Sequence, residues 1–400
     1  MKEETMLEIP MSGIKKIEEI VKAGKPNEYI SLSQGSVKVG GIPEQIKQHV
    51  AELLKTDVTD YYESCWGLKI LREKISTVLS ARYNTTITVN QTLPTHGAIG
   101  GLTLLYLTLL KEGDEVIIPE PAYPAYAILA KASRSTPVFV SCAQAGRPVR
   151  HSSKSDGGAP HEDFELNIEK IKAATTDKTK MIVFSNPWNP LGIIVPPAVI
   201  NELVAWCELK KIYLVIDEAY RDYAFDSTYE TAIPLVNKSE WVVCVNTFSK
   251  NMAMSGWRVG YLLVPEKLAL VLVGMQDALL NCLNNTAQYA ALFALDHPEL
   301  TEKFHKQILF NRDMTTHMLQ PLVERGIISF SQPQGGIFLF MKTDQADATE
   351  LCMSILNNAK VGLIPGSSFG PSGASYLRLC YARETEVLEE GLKRLVNYFV

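Results

Sequence analysis

Two polar residues that directly follow apolar runs could carry out chemistry on a small molecule. Lys250 comes two residues after the β-branched run Trp241–Phe248, and Asp217 ends another such run, Ile212–Asp217. A buried strand ahead of a lysine leaves its amine partly desolvated, which lowers its pKa and makes it a nucleophile toward an aldehyde. An aspartate at a strand end is often only a helix N-cap, so Asp217 alone leaves both interpretations open.

A glycine-rich segment and an arginine could bind anions. The segment Thr95–Gly101 (THGAIGG) precedes the apolar stretch Leu102–Leu110, and its small residues would let backbone N–H groups at a helix N-terminus approach an anion closely. Arg378 lies within YLRLCYA, a segment that otherwise reads as an apolar strand. A buried guanidinium needs an anionic partner to offset its desolvation, so Arg378 predicts an anion nearby.

The middle of the chain alternates β-branched runs with segments of helical spacing. The runs are Glu115–Pro119, Thr136–Ser141, Lys180–Ser185, Ile212–Asp217, Trp241–Phe248 and Arg258–Val264. Between them, Pro197–Lys211 places its apolar residues on one helical face. This alternation predicts an α/β fold with a mostly parallel sheet covered on both faces. Ligands bind beyond the carboxyl ends of such strands, where Asp217 and Lys250 fall.

The last hundred residues predict a smaller α+β unit. A long amphipathic segment, Pro298–Glu324, is followed by short strands near Ile327–Ser331, Gly336–Met341 and Ser375–Tyr381. The N-terminal stretch to about Ile42 is expected to pack with this unit. We therefore predict a large domain over 46–295 and a small domain formed by 1–45 and 296–400.

The segment Ala143–Glu162 is dominated by Gly, Pro, Ser and basic residues, which is typical of a long exposed loop. A solvated insertion is favoured over a functional lid.

The composition excludes several classes of protein. The 400 residues are 46% hydrophobic and 21% charged, as in a folded globular protein, and the net charge of -5 argues against binding nucleic acid through phosphates. The longest apolar stretch, Ile99–Leu110, is well short of the ~20 residues of a membrane span, and no signal-peptide core is found. Seven dispersed cysteines without a C-x-x-C pair favour reduced thiols over disulfides or a metal site. We expect a cytoplasmic protein.

The chain resembles the class I/II aminotransferases of fold type I, which use pyridoxal 5'-phosphate (PLP). The resemblance runs from Ile9–Ile14 through Pro365–Gly370 to Tyr376–Leu379, and its strongest element is Ser249–Gly260 (SKNMAMSGWRVG). It implies a large domain with a mostly parallel sheet and a smaller α+β domain. It also implies an amino-acid aminotransferase that transfers an amino group from an L-amino acid to a 2-oxo acid, with 2-oxoglutarate as the expected acceptor. A lyase or decarboxylase of the same fold is the alternative, and a regulatory module that keeps PLP affinity is disfavoured by the short, acidic N-terminus.

The resemblance assigns roles to the residues that would bind the cofactor ring. Lys250 would bond to the cofactor aldehyde, and Asp217 would keep the pyridine nitrogen protonated. Tyr220 and Asn189 would donate to the phenolic oxygen, and Tyr123 would stack on the ring face. Where this chain has Trp188, the family has Asn or a small residue, and where it has Leu191, the family has Thr. Neither difference changes Asn189.

Further residues would bind the phosphate of the cofactor. They are Gly97, Ala98, Ile99, Thr247, Ser249, Arg258 and Tyr62. Tyr62 corresponds to a tyrosine that reaches the phosphate in the neighbouring subunit, so a homodimer is implied.

The substrate contacts follow from the same resemblance. Arg378 corresponds to the arginine that binds the α-carboxylate, and Gly35 to a glycine that contacts the same group, although the following SVKVGG departs from the family pattern. The aspartate-selective branch has a lysine where this chain has Ile99, which argues against dicarboxylate selectivity. Ile14, Ile99 and Trp188 could instead line an apolar side-chain pocket.

Overall fold

The computed structural model describes residues 9, 11–25, 28–144, 164–225 and 228–400. Within these ranges, no helix is both long and apolar enough to cross a membrane. The segment Ala143–Glu162 lies almost entirely outside the described residues, so its role as an insertion or a lid stays a prediction.

A seven-stranded sheet forms the largest layer of the fold. The strands of the described chain are β1 (Ile30–Ser31), β2 (Thr92–Thr95), β3 (Glu115–Glu120), β4 (Thr136–Ser141), β5 (Thr179–Ser185), β6 (Tyr213–Asp217), β7 (Val242–Thr247), β8 (Gly260–Leu263), β9 (Ile328–Ser329), β10 (Phe338–Thr343), β11 (Val361–Gly362), β12 (Ile364–Pro365) and β13 (Tyr376–Cys380). The sheet has the order β2–β8–β7–β6–β5–β3–β4. Strands β3 to β7 are parallel, whereas β8 runs antiparallel to both β7 and β2. The prediction of a mostly parallel α/β sheet is confirmed.

Helices cover both faces of this sheet, and the described residues form thirteen α-helices in all. They are α1 (Gly13–Ala23), α2 (Glu44–Leu53), α3 (Lys69–Tyr83), α4 (Gly97–Leu109), α5 (Ala125–Ala132), α6 (Ile168–Ala174), α7 (Pro197–Lys210), α8 (Phe248–Asn251), α9 (Glu266–Leu280), α10 (Asn285–Asp296), α11 (Glu299–Glu324), α12 (Thr349–Asn358) and α13 (Thr385–Phe399). Alternate residues of β6 go to opposite faces, Val215 into a core with α4, α5 and α9 and Leu214 into a core with α3, α7 and α10. Both faces are buried, so the strands are apolar throughout.

A second, antiparallel sheet has the order β12–β13–β10–β9 and packs with α11, α12 and α13. The N-terminal strand β1 pairs in parallel with β11, with Ile30 opposite Val361. Residues from 30–39 and from 304–395 share a hydrophobic core, which supports the proposed division into 46–295 and 1–45 with 296–400. That division stays a prediction.

Candidate active site

A cavity of about 800 Å³ opens where β5, β6 and β7 end. Its lining includes Asn189, Asp217, Lys250 and Arg378, four residues predicted from the sequence. Asn189 lies in the loop after β5, Asp217 ends β6, Lys250 lies in α8 and Arg378 lies in β13 of the antiparallel sheet. Parallel strands bring their carboxyl ends to one edge of a sheet, which explains why residues far apart in sequence meet here.

Lys250 lies in the short helix α8, directly after β7. The side chain of Thr247 caps this helix by accepting from the Ser249 N–H, at 3.1 Å. The Lys250 Nζ donates to the Gly35 carbonyl, and the Tyr223 hydroxyl donates to the Lys250 carbonyl at 2.9 Å. Desolvation lowers the pKa of the Lys250 amine to about 8. A sizeable neutral fraction near neutral pH makes this amine a competent nucleophile and base.

Asp217 is the last residue of β6 and is 4% exposed. Its carboxylate accepts from the Tyr126 hydroxyl and from the Ala219 N–H, both at 3.0 Å. Burial raises the pKa of Asp217 to about 6, while these hydrogen bonds and the Lys250 charge oppose the rise. The side chain is therefore mostly ionised above neutral pH and is suited to pair with a buried cation.

Tyr220 and Asn189 line the same cavity as these two charged groups. The Lys250 Nζ lies 5.7 Å from the centre of the Tyr220 ring, and the backbone N–H of Asn189 donates to the Ser185 hydroxyl at 2.9 Å. Tyr123 lines the same cavity. The structure thus brings together the ring-contacting residues predicted from the sequence.

Arg378 is buried in β13, with 1% of its surface exposed. Its guanidinium lies between Phe338 and Phe369, 4.1 Å and 4.8 Å from the ring centres, and donates to Asn189 Oδ1 at 3.1 Å and to the Ser33 carbonyl. Within the described residues it forms no ion pair, and its Nε has no hydrogen-bond partner. Burial lowers its pKa to about 10. An anion is the chemical group that this arginine lacks.

The N-terminus of α4 lies against Arg258. Gly97 has a φ of +68°, and a Cβ at this position would come within 2.7 Å of Arg258 Nη2. Arg258 also has a positive φ and donates to the Ser255 carbonyl at 2.6 Å. Ala98, Ile99, Thr247, Ser249 and Arg258 line the cavity. Glycine thus keeps open a cradle of N–H groups, hydroxyls and a guanidinium that suits a phosphate.

Trp188 lies elsewhere than the sequence suggested, and Tyr62 lies outside the cavity of its own chain. Trp188 does not line the cavity. Its ring stacks on Phe184 in the core, with 5.6 Å between the ring centres, and its Nε1 donates to the Pro121 carbonyl. The suggestion that it forms part of a side-chain pocket is wrong, because its side chain packs into the hydrophobic core. Ile14 and Ile99 do line the cavity. Tyr62 is 82% exposed and lies in a second cavity of about 590 Å³, with Tyr61 and residues 282–286.

Sequence reasoning missed two residues that support the site. Tyr126 donates to Asp217, and Ser185 accepts from Asn189. One signal was present for Tyr126, because it lies three residues after Tyr123, a spacing that puts both on one face of a helical turn.

The chain is similar to proteins of known family over nearly its whole length. The family model for aminotransferase class I and II matches residues 27–395. An aspartate aminotransferase of Thermotoga maritima is 28% identical over 395 residues, which cover 98% of this chain and 97% of that protein. The crystal structure of the aspartate aminotransferase from Thermotoga maritima superposes with a TM-score of 0.83 at 27% identity, covering 98% of both chains. An aromatic aminotransferase from Pyrococcus horikoshii superposes with a TM-score of 0.82 at 26% identity, covering 96% and 98%.

The chain belongs to the class I and II aminotransferases. Its fold is the fold type I of these enzymes, and its activity is that of an amino-acid aminotransferase.

Proposed function

We propose that this cavity binds PLP and transfers an amino group from an L-amino acid to a 2-oxo acid. The observation that carries the proposal is that Lys250, Asp217 and Arg378 surround one cavity. Burial shifts the pKa values of Lys250 and Asp217, and the Nε of Arg378 has no hydrogen-bond partner within the described residues. The cradle at Gly97 and Arg258 fits the phosphate of the same cofactor. These residues therefore fit the group on its phosphate, ring and aldehyde sides.

When bound, PLP supplies an aldehyde that bonds to amines and a ring that accepts electrons from the substrate Cα. Asp217 would face the ring nitrogen and stabilise its positive charge. Tyr220 and Asn189 would donate to the phenolic oxygen, and Tyr123 would pack on the ring face. Lys250 Nζ would take the proton from Cα as a general base and return it as a general acid.

Arg378 would bind the α-carboxylate of both substrates. Its Nε has no partner within the described residues, and its guanidinium already contacts the Asn189 amide. A carboxylate would accept two parallel hydrogen bonds from the guanidinium. The carbonyl of Gly35 accepts from Lys250, and a Cβ at Gly35 would contact Phe338, the ring over which the Arg378 guanidinium lies.

The substrate side chain would meet a mixed surface. Ile14 and Ile99 supply an apolar wall, whereas Lys15 and Lys38 line the same cavity and form no ion pair within the described ranges. We propose an amino donor with an apolar side chain, with 2-oxoglutarate as acceptor, whose distal carboxylate would be attracted by the lysines. Among the similar proteins, one is named an aspartate aminotransferase and another an aromatic aminotransferase. The first name implies an acidic amino donor and the second an aromatic one.

A homodimer would complete the site, because Tyr62 lies outside the cavity of its own chain. Helix α9 also exposes Leu270 and Val271, which are 66% and 59% accessible, and such apolar surface favours association. Mixing Lys250→Ala with Tyr62→Phe subunits tests the exchange: if Tyr62 acts across the interface, the hybrid regains one intact site and part of the activity. No gain over either variant, in a sample shown to be dimeric, would contradict this role.

Borohydride reduction of the PLP-loaded protein, followed by peptide mapping, tests the cofactor assignment. A phosphopyridoxyl group on Lys250 is the expected result, together with loss of the visible band in Lys250→Ala. An adduct on another lysine would overturn the assignment. A panel of amino donors with 2-oxoglutarate, oxaloacetate and pyruvate then identifies the substrates.

A further inference from the structure

Three buried side chains of the cavity lining lie close together, and they belong to Ser185, Asp217 and Tyr126. Ser185 and Asp217 end the neighbouring parallel strands β5 and β6 and lie directly opposite each other in the register. Tyr126, from helix α5, covers both of them and donates to Asp217 Oδ2 at 3.0 Å. The Ser185 hydroxyl accepts from the Asn189 N–H at 2.9 Å, and it opposes the rise in the pKa of Tyr126 that burial causes. Each of the three side chains belongs to a residue that is at most 4% exposed.

The chemistry of the groups fixes the direction of the two hydrogen bonds, Tyr126 to Asp217 and Asn189 to Ser185. The backbone N–H of Asn189 can only donate, so the Ser185 hydroxyl accepts there and its own proton stays available to a neighbouring group. An ionised Asp217 can only accept, so the Tyr126 proton points to it. The Tyr126 hydroxyl therefore donates to the Asp217 carboxylate and stabilises its ionised form.

We propose that Tyr126 is a positioning residue that holds the Asp217 carboxylate in place and limits its basicity, with Ser185 orienting the Tyr126 hydroxyl. The inference rests on the proposed function only in assigning Asp217 to the ring nitrogen of the cofactor. Neither Tyr126 nor Ser185 is required to touch the substrate.

The remaining groups around Asp217 act on its charge in different directions. Lys250 favours the ionised form and Glu218 disfavours it, and the hydroxyls of Tyr220 and Tyr123 lie in the same surroundings. Glu218 has its own hydrogen-bond partners, Thr231 and the Ala232 N–H among them. Among these groups, Tyr126 and the Ala219 N–H donate directly to Asp217.

Tyr126 could also act only by packing in the core. A matched variant at another buried tyrosine distinguishes loss of packing from loss of the hydrogen bond to Asp217. Tyr106 is as buried as Tyr126, at 1% exposure, and packs in the same hydrophobic core. Its hydroxyl has no hydrogen-bond partner within the described residues. Tyr106→Phe therefore removes the same atom without removing a hydrogen bond to Asp217.

The first measurement uses the loaded protein and follows its visible absorption band as a function of pH. In Tyr126→Phe a more basic Asp217 draws the ring-nitrogen proton toward itself, so the midpoint of the band should rise by about half to one pH unit. Ser185→Ala should shift it in the same direction by less, and Tyr106→Phe should leave it in place. Equal midpoints in Tyr126→Phe and the wild type would overturn the proposal.

The second measurement uses the protein without cofactor, so that it stands even if PLP fails to bind. Burial raises the pKa of Asp217 from 3.8 to about 6 in the folded state, so the free energy of unfolding falls as pH rises through that interval. Removing the Tyr126 donor raises this pKa further, and the added loss appears once Asp217 ionises. Tyr126→Phe should therefore lose more stability at about pH 7 than at about pH 5, measured by denaturant unfolding.

The control in this measurement is again Tyr106→Phe, whose loss of stability should be the same at both pH values. A pH-independent loss in Tyr126→Phe would show that the hydroxyl only packs, and would overturn the proposal. If Tyr126→Phe does not fold, Ser185→Ala is judged by the same criterion. A wild type that binds no PLP, with the pH-dependent loss intact, would contradict the proposed function and leave the link between Tyr126 and Asp217 standing.

Discussion

The floor and the rim of the cavity are built in different ways. We define the floor as Ser185, Asp217 and Tyr126, and the rim as Ile14, Lys15, Lys38 and Ile99. The floor is at most 4% exposed, and the Tyr126 hydroxyl donates to the Asp217 carboxylate within it. The two rim lysines are exposed, and within the described residues they form no ion pair.

This difference separates two tasks of the enzyme. The floor is fixed by strand ends and a helix, which is the kind of rigid support that catalytic geometry requires. The rim is formed by α1, a loop and the first turn of α4, which can change sequence without disturbing the sheet. We infer that the floor determines the chemistry and that the rim determines which amino acid is accepted.

Asp217→Ala is the strongest way to break the floor. Cofactor should still bind through its phosphate contacts, but proton removal from Cα should slow by at least about a thousandfold, because the uncharged ring is a poorer electron sink. Rapid-mixing absorbance of the half-reaction measures this rate. A variant that binds PLP and keeps a near-normal half-reaction would contradict the role of Asp217.

Arg378→Lys should have the next largest effect, because lysine keeps the charge but loses the planar fork that binds a carboxylate through two bonds. Losing this geometry in a buried pair is expected to cost about 2–4 kcal/mol, or roughly 30- to 1000-fold in kcat/KM. The visible band of the bound cofactor should barely change. Steady-state kinetics on the best amino donor provide the measurement.

Arg383 offers a matched control for this variant. It is also buried, at 2% exposure, but its guanidinium donates to the carbonyls of Ser31, Gln34 and Ser36. Arg383→Lys should therefore lower the thermal stability of the protein and leave the kcat/KM for the amino donor nearly unchanged. A less than threefold loss of kcat/KM in Arg378→Lys, or loss of PLP from it, would show that Arg378 is not the carboxylate ligand.

The sequence predicted the charged residues that follow buried strands better than the residues that support them, for physical reasons. Asp217 and Lys250 follow long β-branched runs, and a run buried on both faces is recognisable without knowing its neighbours. Trp188 was misplaced because a loop has no periodicity to show which way its side chain points. The strand β2 was not foreseen, since it is four residues long and contains Pro94, which an edge strand tolerates.

Contacts between elements were the other part that the sequence could not predict. Tyr126 reaches Asp217 across 91 positions of the chain, and Arg378 reaches Asn189 across 189. Spacing rules report neighbours three or four residues apart and say nothing about such pairs. The antiparallel course of β8 was hidden for the same reason, because direction depends on the connection and not on the run itself.

The smallest expected effect sharpens the comparison at the rim. Lys38→Met and Lys15→Met should each raise the KM for 2-oxoglutarate about two- to fivefold, as is typical of an exposed charge pair. They should leave the KM for an apolar amino donor within error, because that substrate has no distal carboxylate. Raising the ionic strength should reduce the difference between variant and wild type, since salt screens exposed charges. Pyruvate, an acceptor without a distal carboxylate, is the control, and an equal rise in its KM would show that the lysines act on the α-carboxylate or on the fold instead.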